Sequence, residues 1–209
     1  MEGIHNLGLF VVSGLLLNIT PGADTLYIVA RGTTQGMRAG AVAALGIGAG
    51  CIVHTLAAAL GLSAIIATSA TAFELVKWIG AAYLAYLGLS LLASRSGTGA
   101  AAPLAPASLR RVFAQGFLTN VLNPKVALFF LAFLPQFIAA DAPHKALAFL
   151  LLGAIFNVNG TLWNLLVAWS AGGLSRRFAL PRTASAWLRR SVGAVFVLLG
   201  LRLALAERA

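Results

Sequence analysis

Asn18-Ile19-Thr20-Pro21-Gly22-Ala23-Asp24 interrupts an apolar run that extends over residues 6–29. Proline inside a helix removes a backbone hydrogen bond and clashes with the preceding turn. In hydrocarbon it is therefore tolerated only where protein or a water-filled cavity satisfies the freed groups. A second stretch repeats the pattern, because Asn120-Val121-Leu122-Asn123-Pro124-Lys125 interrupts the apolar run over 112–134. Thr20-Pro21 and Asn123-Pro124 each place a capping residue before proline, the N-cap then N1 order that begins a helix. Two half-helices are thus expected to aim their positive N-terminal ends into the membrane interior from opposite sides, where such ends bind anions such as a carboxylate.

Composition places these breaks in a membrane protein. The 209 residues are 60% hydrophobic and 10% charged, with a mean hydropathy of +0.91, whereas about a quarter of a soluble domain is charged. Apolar stretches at 6–29, 41–62, 73–93, 112–134, 146–170 and 188–206 predict six spans, with no room for a sizeable soluble domain. The N-terminus lacks the basic n-region of a signal peptide, so the first span is expected to stay in the mature protein. A single cysteine excludes a disulfide framework. The net charge of +10 by itself fits a nucleic-acid binder, but the hydropathy excludes one.

The basic residues carry the topology instead, since short cytoplasmic loops are enriched in Lys and Arg. Arg31 and Arg38 fall in loop 1–2, Arg95, Arg110 and Arg111 in loop 3–4, and Arg176, Arg177, Arg182, Arg189 and Arg190 around loop 5–6. Lys77, Lys145, Arg202 and Arg208 fall on the other side. Both termini are expected outside, with the arginines as solvated anchors.

Residues 1–93 and 112–209 read as two three-helix halves joined by a cytoplasmic linker, 94–111. The second half echoes the first. Pro21 is matched by Pro124. Gly46, Gly50 and His54 are matched by Gly153, Asn157 and Thr161 at the same spacing. Gly80-Ala81-Ala82-Tyr83 is matched by Gly193-Ala194-Val195-Phe196. Three spans is an odd number, so the copies enter the membrane from opposite sides. The expected fold is an all-α integral membrane protein of six transmembrane helices, built as two inverted three-helix repeats with helices 1 and 4 broken. Paired broken helices in inverted repeats mark a transporter's substrate site.

Asp24 and Lys125 are the charges deep within these spans, and each costs about 2.5–3.5 kcal/mol at a membrane centre on insertion scales. Asp24 suits the start of a helix, but Lys125 opposes the dipole there. The two are expected to approach each other in the empty carrier and to be parted by a zwitterionic amino acid, its ammonium going to Asp24 and its carboxylate to Lys125. Asn18, Thr20, Pro21, Gly22, Asn120, Asn123 and Pro124 complete the expected substrate site. Protonation of Asp24 would couple transport to a proton gradient, with burial and a neighbouring cation acting on it in opposite senses.

These residues resemble the LysE/RhtB family of bacterial amino-acid exporters. The similarity rests on the Asn18–Asp24 motif, the Gly-rich second span with His54, Lys77-Trp78-Ile79-Gly80-Ala81-Ala82-Tyr83-Leu84, and Phe117-Leu118-Thr119-Asn120-Val121-Leu122-Asn123-Pro124-Lys125. Ala23 stands where the family usually has a second proline. The resemblance implies six spans in the bacterial cytoplasmic membrane. It also implies proton-driven efflux of threonine, homoserine, its lactone or leucine, in the RhtB-like branch.

Weaker candidates surround this core. His54 is a candidate proton relay, and Asn157, Thr161 and Asn164 share a helical face that suits either a cavity lining or interhelical hydrogen bonds. Cys51 and His54 are too few for a closed metal site, so no metal or other cofactor is expected, although a heavy-metal or other small-solute exporter stays open, as does a channel. Gly46-x-x-x-Gly50 predicts close helix packing. Small side chains along spans 2 and 3 suit tight contact within a monomer or in a homo-oligomer. No G-x-S-x-G, H-E-x-x-H or nucleotide-binding loop is present, so an enzyme gains no support. The expected partners are an amino acid, a proton and the lipid bilayer.

Overall fold

A computed structural model describes residues 3–62, 70–93, 104–139 and 141–173, with Arg190, Ala194, Val197, Leu198 and Leu201 singly. Apart from those five residues the expected sixth span lies outside the described residues, as do residues 94–103 of the linker and Arg95, Arg176, Arg177, Arg182, Arg189, Arg202 and Arg208.

The regular structure among the described residues is helical, apart from an isolated β-bridge between Ile4 and Ile138, with turns and irregular segments between the helices. α1 (Leu7–Ile19) and α2 (Ala23–Gln35) meet at a bend of 50°, with the break at Thr20-Pro21-Gly22. Gly36 turns the chain with φ +82°, a left-handed conformation open to glycine. α3 (Met37–Ala57) follows and continues as a π-helical turn, Ala58–Leu62. α4 (Ala70–Ala93) covers the third expected stretch. α5 (Leu109–Val121) and α6 (Pro124–Ala132) form the second broken unit, which bends by 47° and ends in a 3-10 turn, Leu134–Phe137. α7 (Lys145–Gly173) follows. Two segments, Met37–Gly61 and Lys145–Ala171, are each long and apolar enough to cross a membrane. Counting each bent pair as one span brings the total among the described residues to four.

Each long helix packs on a broken unit: α3 lies against α5, and α7 lies against α1 and α2. Glycine permits the first contact. A Cβ on Gly116 would sit 2.6 Å from the carbonyl oxygen of Ala43, one on Gly50 2.7 Å from that of Phe117, and one on Gly46 would overlap the carbonyl of Phe113. The backbones of α3 and α5 therefore touch, as small residues allow in membrane bundles.

α6 is fixed on its other side by aromatic packing. Phe129 stacks on Phe156 of α7 with ring centres 4.6 Å apart, and Phe10 of α1 meets Phe137 edge-on at 5.2 Å. The N-terminal segment ties to the same end, where His5 N–H donates to Phe137 O at 3.0 Å and Ala139 N–H to Gly3 O at 2.8 Å. Leu60, Leu122, Leu162 and Trp169 face outward, which suits a surface bathed in lipid.

Candidate functional site

The two breaks form differently. At the second, Asn123 is the N-cap and Pro124 the first helical residue, with Asn123 Oδ1 accepting from Lys125 N–H at 3.0 Å, as the Asn-Pro order predicts. At the first, the expected Thr20 N-cap is corrected. Thr20 is the C-cap of α1, with extended backbone, and its N–H and hydroxyl both donate to Leu16 O, at 3.1 and 2.7 Å. α2 begins only at Ala23, after Gly22 in an extended conformation (φ −153°, ψ −168°). A hydroxyl committed backward to α1 is not free to cap α2, so the capping reading fails there while the break itself stands.

Pro21 has a further consequence. In an unbroken helix Leu17 O would accept from the N–H of residue 21, and proline has none. Lys125 Nζ supplies the missing donor, at 2.7 Å from Leu17 O and 2.7 Å from Thr20 O. The first turn of α6 thus caps the end of α1, linking the two broken units. Lys125 and Asp24 line one cavity but form no ion pair with each other; the freed carbonyls hold the ammonium instead.

Asp24 sits in the first turn of α2 and accepts from Asn120 Nδ2 through Oδ2 at 2.8 Å. Asn120 is buried, and its backbone carbonyl lies 3.0 Å from His54 Nε2 of α3. His54, Asn120 and Asp24 therefore form a chain from α3 through α5 to α2. Asp24 Oδ1, Asn120 Oδ1 and Asn18 Nδ2 are buried without a hydrogen-bond partner. Buried polar groups are usually satisfied; Asn18 and Asp24 line the same cavity, so a donor and an acceptor left over there suit a binding site, whereas Asn120 Oδ1 faces Gly50 of α3.

The cavity between the half-helix ends is about 20 Å³ in volume, room for one or two waters and too small for any amino acid. Asn18, Gly22, Asp24, Asn123, Lys125 and Asn164 of the expected residues line it, together with Leu17, Thr25, Val126 and Phe156. Asn120 and His54 stand behind it and hold Asp24. Thr20 and Pro21 shape the break. Asn157 and Thr161 go elsewhere: Thr161 Oγ1 bonds Asn157 Oδ1 at 3.3 Å, and both abut Gly48 of α3, which is interhelical packing rather than cavity lining. Sequence reading missed Leu17, Thr25, Val126 and Phe156. Only Thr25, next to Asp24, carried a polar signal.

The arginine anchors need one correction. Arg38, Arg110, Arg111 and Arg190 are exposed, but Arg31 is 3% exposed. It donates to Gln35 Oε1 (2.7 Å), Gln115 Oε1 (2.7 Å), Ala105 O (2.9 Å) and Tyr27 Oη (3.3 Å). Arg31 lies within α2 rather than in a loop, and a charge that finds enough neutral oxygens need not face water. Among the described residues no group of three His, Cys, Asp or Glu side chains comes together. Cys51 is buried in the apolar core.

Comparison with known proteins places the chain in a family. The family described as LysE type translocator matches residues 15–207. A leucine efflux protein of Salmonella choleraesuis is 29% identical over 157 residues, covering 75% of this chain and 74% of the relative. An uncharacterized membrane protein of Pseudomonas aeruginosa is 29% identical over 209 residues, covering 98% and 97%. One of Vibrio cholerae is 33% identical over 150 residues, covering 72% and 73%. No solved structure matches. With a match over nearly its whole length, and with apolar helices broken around a shared polar cavity, the chain belongs to the LysE type translocators: it is a membrane transporter, not an enzyme.

Proposed function

We propose that the protein exports amino acids or close derivatives, of the leucine, threonine, homoserine or homoserine lactone class, and binds the amino acids as zwitterions between the two helix breaks; the lactone, which has no carboxylate, would be held by its ammonium alone. One observation supports this most: α2 and α6, from opposite halves, begin at one cavity that also holds Asp24 and Lys125. Helix N-termini and a lysine suit a carboxylate, and an aspartate suits an ammonium. The leucine efflux relative points to an amino-acid cargo.

The geometry changes how binding works. The substrate's carboxylate competes for Lys125 not with Asp24 but with the carbonyls of Leu17 and Thr20. Binding would therefore release the end of α1 at the break and allow the small cavity to widen. Asp24, held by Asn120, presents Oδ1 to the ammonium and serves as the proton site in exchange for substrate. A six-span inverted repeat in the bacterial cytoplasmic membrane, with both termini outside, accommodates this scheme, because two near-equivalent packings of the halves provide alternating access.

The test is counterflow in proteoliposomes. Unlabelled leucine or threonine inside should drive saturable accumulation of the labelled amino acid from outside, and an imposed pH gradient should drive net movement. Flux that does not saturate would indicate a channel, and no flux with any amino acid or derivative in a panel would end the proposal.

A further inference from the structure

Arg31 lies seven residues beyond Asp24 on α2, about 10.5 Å along the helix, towards the end that the arginines mark as cytoplasmic. Everything it touches links the first broken unit to the second. From α2 come Tyr27, Arg31 and Gln35. From the opposing side come Gln115 of α5 and the carbonyl of Ala105. Tyr27 Oη also lies 2.9 Å from Val112 O, and Gln35 exchanges two bonds with the backbone of Ala107. The cluster fills the space between α2 and α5 directly beyond the cavity.

Its chemistry is unusual for a permanent joint. A guanidinium stays charged under all ordinary conditions and presents five donors. When buried it is normally paired, yet among the described residues every partner of Arg31 is a neutral oxygen. Parting α2 from α5 would return the guanidinium to water without stranding a carboxylate, so hydration offsets the lost bonds. A contact closed in one state and hydrated in the other is what two packings of similar free energy require.

We infer that Arg31, clamped between Gln35, Gln115 and Ala105, is the latch that closes the cytoplasmic end of the substrate path, and that its release opens the site to that side. This rests on the reading of the protein as a carrier with its site at the breaks.

The test uses a Cys51→Ala background carrying Thr25→Cys, a cavity-lining position, labelled by a membrane-impermeant thiol reagent in inside-out and right-side-out vesicles. Arg31→Gln should speed labelling from the cytoplasmic face by about tenfold, equivalent to a population shift of about 1.4 kcal/mol, and should slow it from the opposite face. Gln115→Ala and Tyr27→Phe should act in the same direction by less. Arg31→Lys should not restore the closed state, because a single ammonium nitrogen does not reproduce the planar fork whose three nitrogens reach separate acceptors. Unchanged rates, or equal acceleration from both faces, would overturn the latch. Should Arg31→Gln fail to fold, Gln115→Ala and Tyr27→Phe, which keep the arginine, decide the matter by the same labelling rates. If the sided effect appears but the parent protein shows no amino-acid counterflow, the latch stands and the cargo reading falls.

Discussion

Replacing Lys125 by methionine removes an ammonium while keeping an unbranched side chain one atom shorter, and the structure allows its two consequences to be separated. Nζ makes bonds of 2.7 Å to Leu17 O and Thr20 O. Hydrogen bonds to charged groups contribute about 1.5–3 kcal/mol each, so the gross loss is about 3–6 kcal/mol. Leu17 O has no other donor in prospect, because Pro21 lacks an N–H. Against this stands the cost of keeping an ammonium at membrane depth, about 2.5–3.5 kcal/mol on insertion scales, which the variant no longer bears. The net destabilisation is then about 0–3 kcal/mol, and the variant should fold. Its transport should nonetheless fall to background, because the cavity lining contains no second basic residue for the substrate carboxylate. Thermal unfolding of purified protein in detergent measures the first consequence, and counterflow in proteoliposomes the second. A folded Lys125→Met variant that transports with unchanged half-saturation would reduce Lys125 to a helix cap. A variant that cannot be isolated folded would refute the offset between the two contributions.

Other outcomes follow from the same geometry. Asn164→Ala should raise the half-saturation concentration in counterflow, whereas Asn157→Ala should leave it within about twofold, since only Asn164 lines the cavity; such a factor corresponds to less than about 0.5 kcal/mol. Gly116→Leu should abolish folded protein, read as a monodisperse chromatographic peak, because even a Cβ there meets Ala43 O at 2.6 Å. Phe156→Ala should cost about 3–5 kcal/mol of stability, and in folded protein should widen the accepted range of substrate side chains in competition assays, as Phe156 forms one wall of the cavity. His54→Phe should slow exchange more than it lowers stability, because His54 supports Asn120, which holds Asp24.

Local signals are most legible where one residue type dictates backbone behaviour. Pro21 and Pro124 place both breaks, and Asn123 places a cap, because a missing N–H and a short carboxamide act within a few residues. Thr20 misleads for a related reason: a hydroxyl can serve the helix behind it or the one ahead, and the sequence does not say which. Contacts across the halves are less legible. That Lys125 finds the carbonyls freed by Pro21, rather than Asp24, depends on how α6 meets α1. Asn157 and Asn164 share a helical face yet lie seven residues apart, about 10.5 Å along the axis, so only one of them reaches the cavity. Arg31 is legible as a topological charge and not as a buried one, because Gln35, Gln115 and Ala105 converge on it from three different segments.

Recognition of a zwitterion by opposite charges from the two broken units is tested most directly by equilibrium binding of leucine, N-acetylleucine and leucinamide to the parent protein, Asp24→Asn and Lys125→Met. The parent should bind leucine well above either analogue. Asp24→Asn should lose the preference over N-acetylleucine and keep that over leucinamide, while Lys125→Met should do the reverse. Equal binding of all three compounds by the parent, or preferences that survive both substitutions, would contradict the assignment of Asp24 and Lys125.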